Sequence, residues 1–347
     1  MPLHRNVIVG YPPAPQFATF TPGTVEPIGA LDGGTRNVGH RVPDQSLEVY
    51  NGDISLTGGS TIEGLDIYGR ITGGSSTAVV RDCIVRGQDN TGIGTQRWLA
   101  RGGGAGTFQG ALFEWVTFDQ TGREGGWTNA FEGSDYTARY CDVRRVVDGA
   151  EFNVGSNVMW ENCRISHGVY FAWWNNAGGA VRTATFVDFG GKTWTAPFPS
   201  QSSGDTHSDG IQIMRGQNNV IRGCSIGAPR PYTSAQTTQL DPTVEAEYLV
   251  MAAMDADAGF GTSAIMVNGY DLDHLGLLVE LNWLGGGTAT VNLGPSGSDT
   301  LAGVTIQNNR FKRQAAGIGN YAILDNASAA TITGNVWDDT GTAVPIS

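Results

Sequence analysis

The residues best suited to chemistry in this sequence lie in one short segment, residues 204–212 (GDTHSDGIQ). Asp205, His207 and Asp209 occupy alternate positions there, so an extended chain would project their side chains to one side. Asp148, at the start of another strand-like segment, aligns with Asp209 and adds a fourth group. Glycan hydrolysis needs one carboxyl group as acid and another as base or nucleophile, whereas lyase chemistry needs a base near a sugar C5 proton. These four residues are the candidate catalytic set.

A second group of side chains is suited to binding a sugar. The strand-like segments GAEF, GVYF and GIQI begin at residues 149, 168 and 210, and their third residues align in one column. Because these third residues alternate with apolar ones, they are expected to face solvent in a shallow groove. A histidine and two tryptophans lie beside the second segment. The candidate substrate-binding residues are Glu151, His167, Tyr170, Trp173, Trp174 and Gln212.

The aspartates also have a structural interpretation, and both interpretations stay open. Asp148 and Asp209 each precede a glycine at the start of a strand, where aspartate commonly caps a turn. No turn requires His207, which makes it the more informative residue. The sequence predicts no metal site, since DADAG at residues 255–259 lacks the remaining ligands of a calcium loop. It predicts no cofactor, since the glycine-rich residues 101–106 do not follow a strand as a phosphate-binding turn does.

A repeat of about 22 residues must position these side chains. One pattern recurs ten times along the chain. It consists, in order, of an apolar residue, two polar or small residues, a second inward residue, one more residue and a third apolar residue. The middle residues of the ten copies are Leu65, Cys83, Val116, Cys141, Cys163, Ala184, Cys224, Leu281, Asn309 and Asn335. A second short strand precedes several copies, and two stacked strands per coil form a solenoid. All four cysteines share the middle position, which predicts a buried, reduced ladder that the asparagines continue.

This repeat predicts an all-β chain folded as a parallel β-helix of about ten coils over residues 46–347. Residues 1–45 lack the repeat and are expected either to cap the open end of the solenoid or to attach it to a partner. Insertions are predicted at about residues 190–206 and 227–261. The second should contain a short helix that begins at Asp241-Pro242. Both insertions flank the coil that carries HSDGIQI, which predicts that they border the binding face.

Charge and composition narrow the possible partners. The chain has 21 Lys and Arg residues against 33 Asp and Glu, a formal net charge of −12, and no basic stripe. Nucleic acid is therefore not an expected partner, and neutral or cationic glycans fit better. Membrane insertion is not expected because no apolar run approaches about 18 residues. The N-terminus has no signal-peptide pattern.

Five segments resemble the right-handed parallel β-helix repeat proteins of the pectate-lyase-like superfamily, in the form found in actinobacteria and in tail proteins of their phages. They are GDISLTGGSTIEGLDIYGRI, HSDGIQIMRGQNNVIRGCSI, ELNWLGGGTATVNL, VTIQNNRF and TGNVWDDTG. The resemblance implies a right-handed β-helix from about residue 45 to the end. It implies no particular activity, because the calcium-binding aspartates and arginine base of pectate lyases have no counterpart here. The paired aspartates of polygalacturonases are also missing from their usual context.

Together these features predict a phage tail protein, either a tailspike or a receptor-binding fibre. A family that works outside cells, combined with no signal peptide, suits a virion that leaves the cell by lysis. The expected partners are a host cell-surface polysaccharide and other tail proteins. A homotrimer with aromatic residues in its subunit contacts is expected. One alternative is a glycan-cleaving lyase or glycoside hydrolase on the same scaffold. Another is a purely structural virion component.

Overall fold

The structure is a computed structural model, and the residues that it describes are 31–32, 35–36, 38–87, 97–103, 106–119, 128–144, 146, 149–152, 155–166, 183–187, 193–197, 209–214, 216–227, 263–270, 274–286, 289–296, 301–312, 321–325 and 330–347. Regular structure in these ranges is almost all β-strand, with one 3-10 helix at Asp44–Ser46. No helix within them is long and apolar enough to cross a membrane.

Three stacks of parallel strands form the three faces of a prism, and each coil of the chain visits face 1, face 2 and face 3 in turn. Face 1 comprises Thr61–Glu63, the first part of Val79–Val85, the middle of Thr107–Asp119, Ser134–Arg139, Val158–Glu161, Val220–Arg222, Leu278–Glu280, Thr305–Gln307 and Thr331–Thr333. Face 2 comprises Glu48–Asn51, Leu65–Tyr68, the ends of Val79–Val85 and Thr107–Asp119, Asp142–Arg144, Arg164–Ser166, Ser225–Gly227, Trp283–Gly285, Arg310–Phe311 and Val336–Trp337. Face 3 comprises Ile54–Leu56, Ile71–Gly73, Arg97–Arg101, Thr128–Glu132, Ala150–Phe152, Ile211–Ile213, Ile265–Tyr270, Ala289–Ser296 and Tyr321–Asp325.

The chain is therefore a right-handed parallel β-helix, which confirms the predicted fold class. Its described part contains ten coils, numbered 1 to 10 from the N-terminus. Three short strand pairs lie outside the three faces. These pairs are Leu31–Asp32 with Thr35–Arg36, Thr183–Val187 with Thr193–Pro197, and Gly216–Gln217 with His274–Leu275.

Alternation of side chains along each strand fills the interior of the prism. The largest interior groups form an aromatic cluster of fully buried rings in coils 4 to 6. Phe131 lies at its centre, with ring centroids 5.0 Å from Phe113, 5.0 Å from Tyr136 and 5.1 Å from Trp160. The indole N–H of Trp160 donates to the Tyr136 hydroxyl at 2.9 Å, so this polar pair is satisfied inside the apolar core.

A single residue in the left-handed backbone conformation turns each coil from face 1 to face 2. Nine successive bends of the described chain have φ between 49° and 73°. The bend residues are Gly64, Asp82, Trp115, Tyr140, Asn162, Gly223, Leu281, Asn308 and Gly334. Six of these nine are glycine, asparagine or aspartate, the types that tolerate this conformation at least cost. The bend residue precedes the middle position of the repeat.

The middle positions form the predicted interior ladder. All four cysteines are free and buried. The Cys141 N–H donates to the Cys163 sulfur at 3.3 Å, and the Cys163 N–H donates to the Cys224 sulfur at 3.4 Å. The Cys224 N–H in turn donates to Asn282 Oδ1 at 2.8 Å, where asparagine takes over the same role. From coil 6 to coil 10, each ladder side chain thus accepts a hydrogen bond from a backbone N–H of the coil before it.

Burial of the ladder predicts that the cysteines resist thiol reagents in the native state. Burial raises the pKa of the Cys83 thiol to about 12, which removes the reactive thiolate at neutral pH. Titration with a thiol-reactive dye at pH 7.5 should label fewer than one group per folded chain and four groups in denaturant. Rapid labelling of two or more groups without denaturant would show that the ladder is open to solvent.

One predicted middle residue, Leu281, is wrong by one position. Leu281 is a bend residue with φ of 58° and an exposed side chain, and Asn282 occupies the ladder. The matching inward pair of this coil is Val279 and Leu284, which pair in register with Ile221 and Ile226 of the previous coil. The hydrophobicity of Leu281 favours an inward position, but in this coil the ladder position holds an asparagine that hydrogen-bonds to both neighbouring coils.

The predicted copy around Ala184 is also wrong. The strand Thr183–Val187 pairs antiparallel with Thr193–Pro197, outside the three faces. Arg164–Ser166 pairs directly with Ser225–Gly227, so Cys163 and Cys224 lie on neighbouring coils. The coil count is nonetheless ten, because Glu48–Asn51 and Ile54–Leu56 form a first coil without the repeat. The predicted insertion at 227–261, with its helix, lies outside the described residues apart from Gly227.

Residues 38–46, here called the strap, run along the outside of face 2. The Gly39 N–H donates to the Tyr140 carbonyl of coil 5 at 2.8 Å. The Arg41 Nε donates to an Asp82 carboxylate oxygen of coil 3 at 2.8 Å, and Asp82 is buried. The described end of the N-terminal segment therefore contacts the side of the solenoid over three coils.

Candidate functional site

The longest connections of the chain leave the solenoid at one edge, between face 2 and face 3. One joins Arg164–Ser166 to Ile211–Ile213 in coil 6, and another joins Ser225–Gly227 to Ile265–Tyr270 in coil 7. The bend between face 1 and face 2, by contrast, is a single residue. The two predicted insertions therefore fall in the two connections that enter face 3 in coils 6 and 7, and apart from Thr193–Pro197 and Gly227 they lie outside the described residues.

One position on each strand of face 3 lines up with its neighbours in a straight column, in which Met266 is buried. Backbone pairing aligns one outward residue from each of nine strands of the described chain. In order they are Ser55, Thr72, Arg101, Glu132, Glu151, Gln212, Met266, Asn292 and Leu324. The predicted alignment of Glu151 with Gln212 is confirmed, since these two residues are direct partners. The middle of this column, which is polar, is the candidate site.

Tyr170 does not belong between Glu151 and Gln212. Ala150–Phe152 pairs directly with Ile211–Ile213, so no strand separates these two coils. The alignment of GVYF with the other segments counted a coil that the structure does not contain. Tyr170 itself lies outside the described residues.

Arg101 and Glu132 form the charged part of the column, and the sequence analysis missed both. The Arg101 Nε lies 2.7 Å from a Glu132 carboxylate oxygen, and the side chains are 53% and 17% exposed, respectively. The Arg101 guanidinium carbon lies 4.2 Å from the ring centroid of Trp98, which holds it over an aromatic face. The sequence does contain a signal for Glu132, because it follows the inward Phe131 and should therefore face outward. The predicted column, however, used only strands that begin after a glycine, and Thr128–Glu132 does not.

Two acidic residues are neighbours in this column. Glu132 pairs in register with Glu151 on the next coil, so their backbones are about 4.8 Å apart. Carboxyl groups about 5 Å apart are typical of retaining glycosidases, in which one is the nucleophile and the other the acid. The backbone register therefore places two glutamates on adjacent coils, and the Glu132 carboxylate is ion-paired with Arg101.

Asp209 differs from its predicted position. Its side chain is fully buried, and Oδ1 accepts a hydrogen bond from the Ser263 N–H of the next coil at 2.8 Å. Asn129 and Ser263, at the equivalent edge of their own coils, are also fully buried. A carboxylate without exposed surface cannot contact a polysaccharide, so the structure favours the turn-capping interpretation of Asp209.

Of the other predicted site residues, Gln212 is half-buried on the outer side of face 3. Glu151 is described through its backbone register only. The remaining candidates lie outside the described residues, and their proposed roles stay predictions. They are Asp148, His167, Tyr170, Trp173, Trp174, Asp205 and His207. Among the described residues, no three His, Cys, Asp or Glu side chains converge to hold a metal ion.

No protein-family model matches this sequence, and no curated protein matches it. Among solved structures, the chain aligns with the A-module of the mannuronan C-5 epimerase AlgE4 from Azotobacter vinelandii. That alignment has 11% sequence identity and a TM-score of 0.21, and it covers 95% of this chain and 96% of that one. The pairing of strands within this chain therefore carries the fold assignment.

Proposed function

We propose that this chain is a phage tail protein that binds a cell-surface polysaccharide along face 3. The observation that carries the proposal is the group of polar side chains in the middle of the face 3 column. Arg101, Glu132 and Gln212 offer a cation, a carboxylate and an amide at intervals of whole strand spacings. A ligand that is itself a repeating chain can hydrogen-bond to successive coils. With a net charge of −12 on the protein, a neutral or cationic glycan is the favoured class.

The proposal includes a role in the phage virion, and the resemblance of the sequence to phage tail β-helices supports that role. It includes a location on the virion, exposed after lysis, and contact with other tail proteins. The predicted homotrimer stays a prediction.

Glycan cleavage is a second candidate function, and one observation favours it. Glu132 and Glu151 occupy paired positions on adjacent coils, as described above. If this pair is catalytic, incubation of the protein with a polysaccharide that it cleaves should release reducing ends, and Glu132→Gln should abolish the release. A lyase would instead produce the absorbance of an unsaturated uronate. Absence of both signals with a glycan that binds would leave binding as the function.

Binding along face 3 predicts that Gln212→Ala and Arg101→Ala each weaken affinity about fivefold. The reason is the loss of one hydrogen bond worth about 1 kcal/mol. Arg81→Ala is a matched control, because Arg81 forms an ion pair with Glu63 at 2.9 Å and is similarly exposed, but lies on face 1. Affinity would be measured by calorimetry against a panel of neutral, cationic and uronate polysaccharides.

The melting temperature of each variant should stay within a few degrees of the wild type, because these side chains are outside the core. Equal loss of affinity in the face 3 variants and in Arg81→Ala would contradict a site on face 3. Absence of binding to every member of the panel would count for the purely structural virion component.

A further inference from the structure

Face 1 carries a column of outward charges that alternate in sign. Backbone pairing aligns one such residue from each of eight successive coils of the described chain, coils 2 to 9. In order they are Glu63, Arg81, Glu114, Arg139, Glu161, Arg222, Glu280 and Gln307. Acid and base alternate without exception over the first seven, so no coil places a like charge beside its neighbour.

All three arginines of this charge column are paired with a glutamate inside the chain, and Arg222 and Glu280 lie 2.6 Å apart. Side-chain atoms of Arg81 and Glu63 lie 2.9 Å apart, and those of Arg139 and Glu161 lie 2.8 Å apart. Like charges opposite one another on paired strands are destabilising, so alternation also fixes the register of the coils. The chain has 33 acidic and 21 basic residues, whereas this column has four acidic and three basic ones. Face 1 is therefore nearly neutral on a strongly acidic protein.

A second outward column on face 1 is apolar in its middle and ends in threonine. In order from coil 2 to coil 10 its residues are Thr61, Val79, Leu112, Thr137, Met159, Val220, Leu278, Thr305 and Thr331. The side chains from Val79 to Leu278 are partly exposed. Within the described chain, the strap contacts face 2 and leaves this apolar column uncovered.

We propose that face 1 packs against face 1 of a second copy of this chain, antiparallel, about a two-fold axis between coils 5 and 6. Such an axis runs along the strands, so it keeps each column over its own counterpart and reverses the order of the coils. Coil 3 then faces coil 8 of the partner, coil 4 faces coil 7, and coil 5 faces coil 6. A closed two-fold contact of this kind is the commonest form of homo-oligomer.

This one operation makes both columns complementary. Every charge of coils 3 to 8 faces an opposite charge, Glu63 of coil 2 faces the amide of Gln307, and every aliphatic side chain faces an apolar side chain or a threonine. The facing charges are Arg81 with Glu280, Glu114 with Arg222, and Arg139 with Glu161. The facing residues of the apolar column are Thr61 with Thr305, Val79 with Leu278, Leu112 with Val220, and Thr137 with Met159.

A parallel arrangement around an axis along the solenoid lacks this match. There the facing order of the two columns is reversed, so charged side chains of one copy lie over apolar side chains of the other. Burying a charge against an apolar group is costly. The pattern on face 1 therefore favours an antiparallel over a parallel contact between two copies of this face.

The size of face 1 sets the expected strength of the dimer. Nine strands span about 40 Å, and three residues per strand span about 10 Å. This area is below the ~800 Å² per partner of a standard stable complex, so a dissociation constant in the micromolar range is expected. The dimer should form at high protein concentration, or where many copies are held close together.

Cross-linking between single introduced cysteines tests the orientation, because the four native cysteines are buried. Leu112→Cys and Val220→Cys place thiols on coils 4 and 7, which face each other in the antiparallel dimer. A mixture of the two variants should cross-link efficiently with a short bis-maleimide that spans one inter-sheet gap. Each variant alone should cross-link poorly, because its own thiols are three coils apart. Equal or stronger cross-linking of each variant with itself would overturn the proposal.

Sedimentation velocity of the full chain from 1 to 200 µM tests the interface itself. Wild type should shift from monomer to dimer, and Val220→Lys should weaken the dimer at least tenfold, because it sets a lysine against Leu112 of the other copy. Thr331→Lys is the matched control, since it lies in the same column on coil 10, outside the apolar stretch, and should leave the dimer unchanged. A wild-type monomer at every concentration, a trimer, or a dimer that Val220→Lys leaves intact would each refute the proposal.

Polysaccharide binding by Val220→Lys, measured separately, should equal that of the wild type, so failure of the dimer and failure of the glycan site are distinguishable.

Discussion

Replacement of Asn309 with alanine is expected to lower the free energy of unfolding by about 3 kcal/mol. The Asn309 Oδ1 accepts from the Asn282 N–H at 2.9 Å, and Nδ2 donates to the Val279 carbonyl at 3.0 Å. All of these groups are buried, so truncation leaves a backbone donor and a backbone acceptor without partners. Each such loss costs about 1–3 kcal/mol. Equilibrium denaturation in urea, followed by circular dichroism, would measure the change.

Two further variants make this expectation specific to the ladder. Asn308→Gly alters the exposed neighbour, whose φ of 54° glycine adopts without strain, and it should change stability by less than about 0.5 kcal/mol. Asn309→Cys should recover part of the loss. At the equivalent position the Cys163 sulfur accepts from the Cys141 N–H, and the thiol donates to the Ala138 carbonyl at 3.4 Å. If alanine at 309 costs no more than glycine at 308, the ladder does not stabilise the stack of coils.

Stability is expected to fall steeply above pH 9. Burial raises the pKa of Cys83 to about 12 and that of Cys163 well above its ordinary value. Between pH 9 and 12 the unfolded chain loses these thiol protons while the folded chain keeps them. The unfolded state is thereby favoured, with a slope of about 1.4 kcal/mol per pH unit for each thiol. Cys83 alone therefore contributes about 4 kcal/mol that is present below pH 9 and lost by pH 12. Tyr136, whose pKa burial also raises, adds to the fall above pH 10.

Cys83→Val isolates one thiol in this pH dependence. Valine fits the ladder because Val116 occupies the same position on the next coil, where it pairs with Cys83. The variant should show a slope between pH 9 and 12 that is smaller by one thiol, measured as the urea midpoint at each pH. An unchanged slope would mean that Cys83 reaches solvent as a thiolate in the folded chain.

Most of the fold could be predicted because the repeat places chemically distinctive residues at one position. Cys83, Cys141, Cys163 and Cys224 fixed the register of four coils, since small groups that can hydrogen-bond are needed where the chain bends. The predicted register was wrong at Leu281, because this leucine occupies the left-handed bend and its hydrophobicity suggested an inward residue one position before the true one. It failed at Ala184 because a two-stranded antiparallel excursion has the same alternation as a coil strand. Pattern alone does not distinguish an inward strand from a hairpin outside the core.

The candidate site was predictable only where its residues share the alignment of the core. Glu151 and Gln212 flank inward residues on strands that begin after a glycine, so their pairing followed from the repeat. Arg101 and Glu132 lie on strands without that glycine, and only the backbone pairing shows that they continue the column. Asp209 lies two residues before the inward Ile211, so the alternation of the strand, continued by one step, places it inward, as observed. The prediction of a solvent-facing Asp209 was wrong because it treated residues 205–209 as separate from that strand.

The alternating charges of face 1 limit how this solenoid can change its length. Duplication or deletion of one coil between Glu63 and Glu280 would put two glutamates or two arginines on adjacent strands. A change of two coils preserves the order of signs, and it also preserves the match between antiparallel copies, which requires an even number of coils. Insertions and deletions in this part of the molecule are therefore expected to comprise two coils, about 45 residues, although the structural repeat is a single coil. Shortened or lengthened versions that remain soluble and well folded should differ from this chain by even numbers of coils.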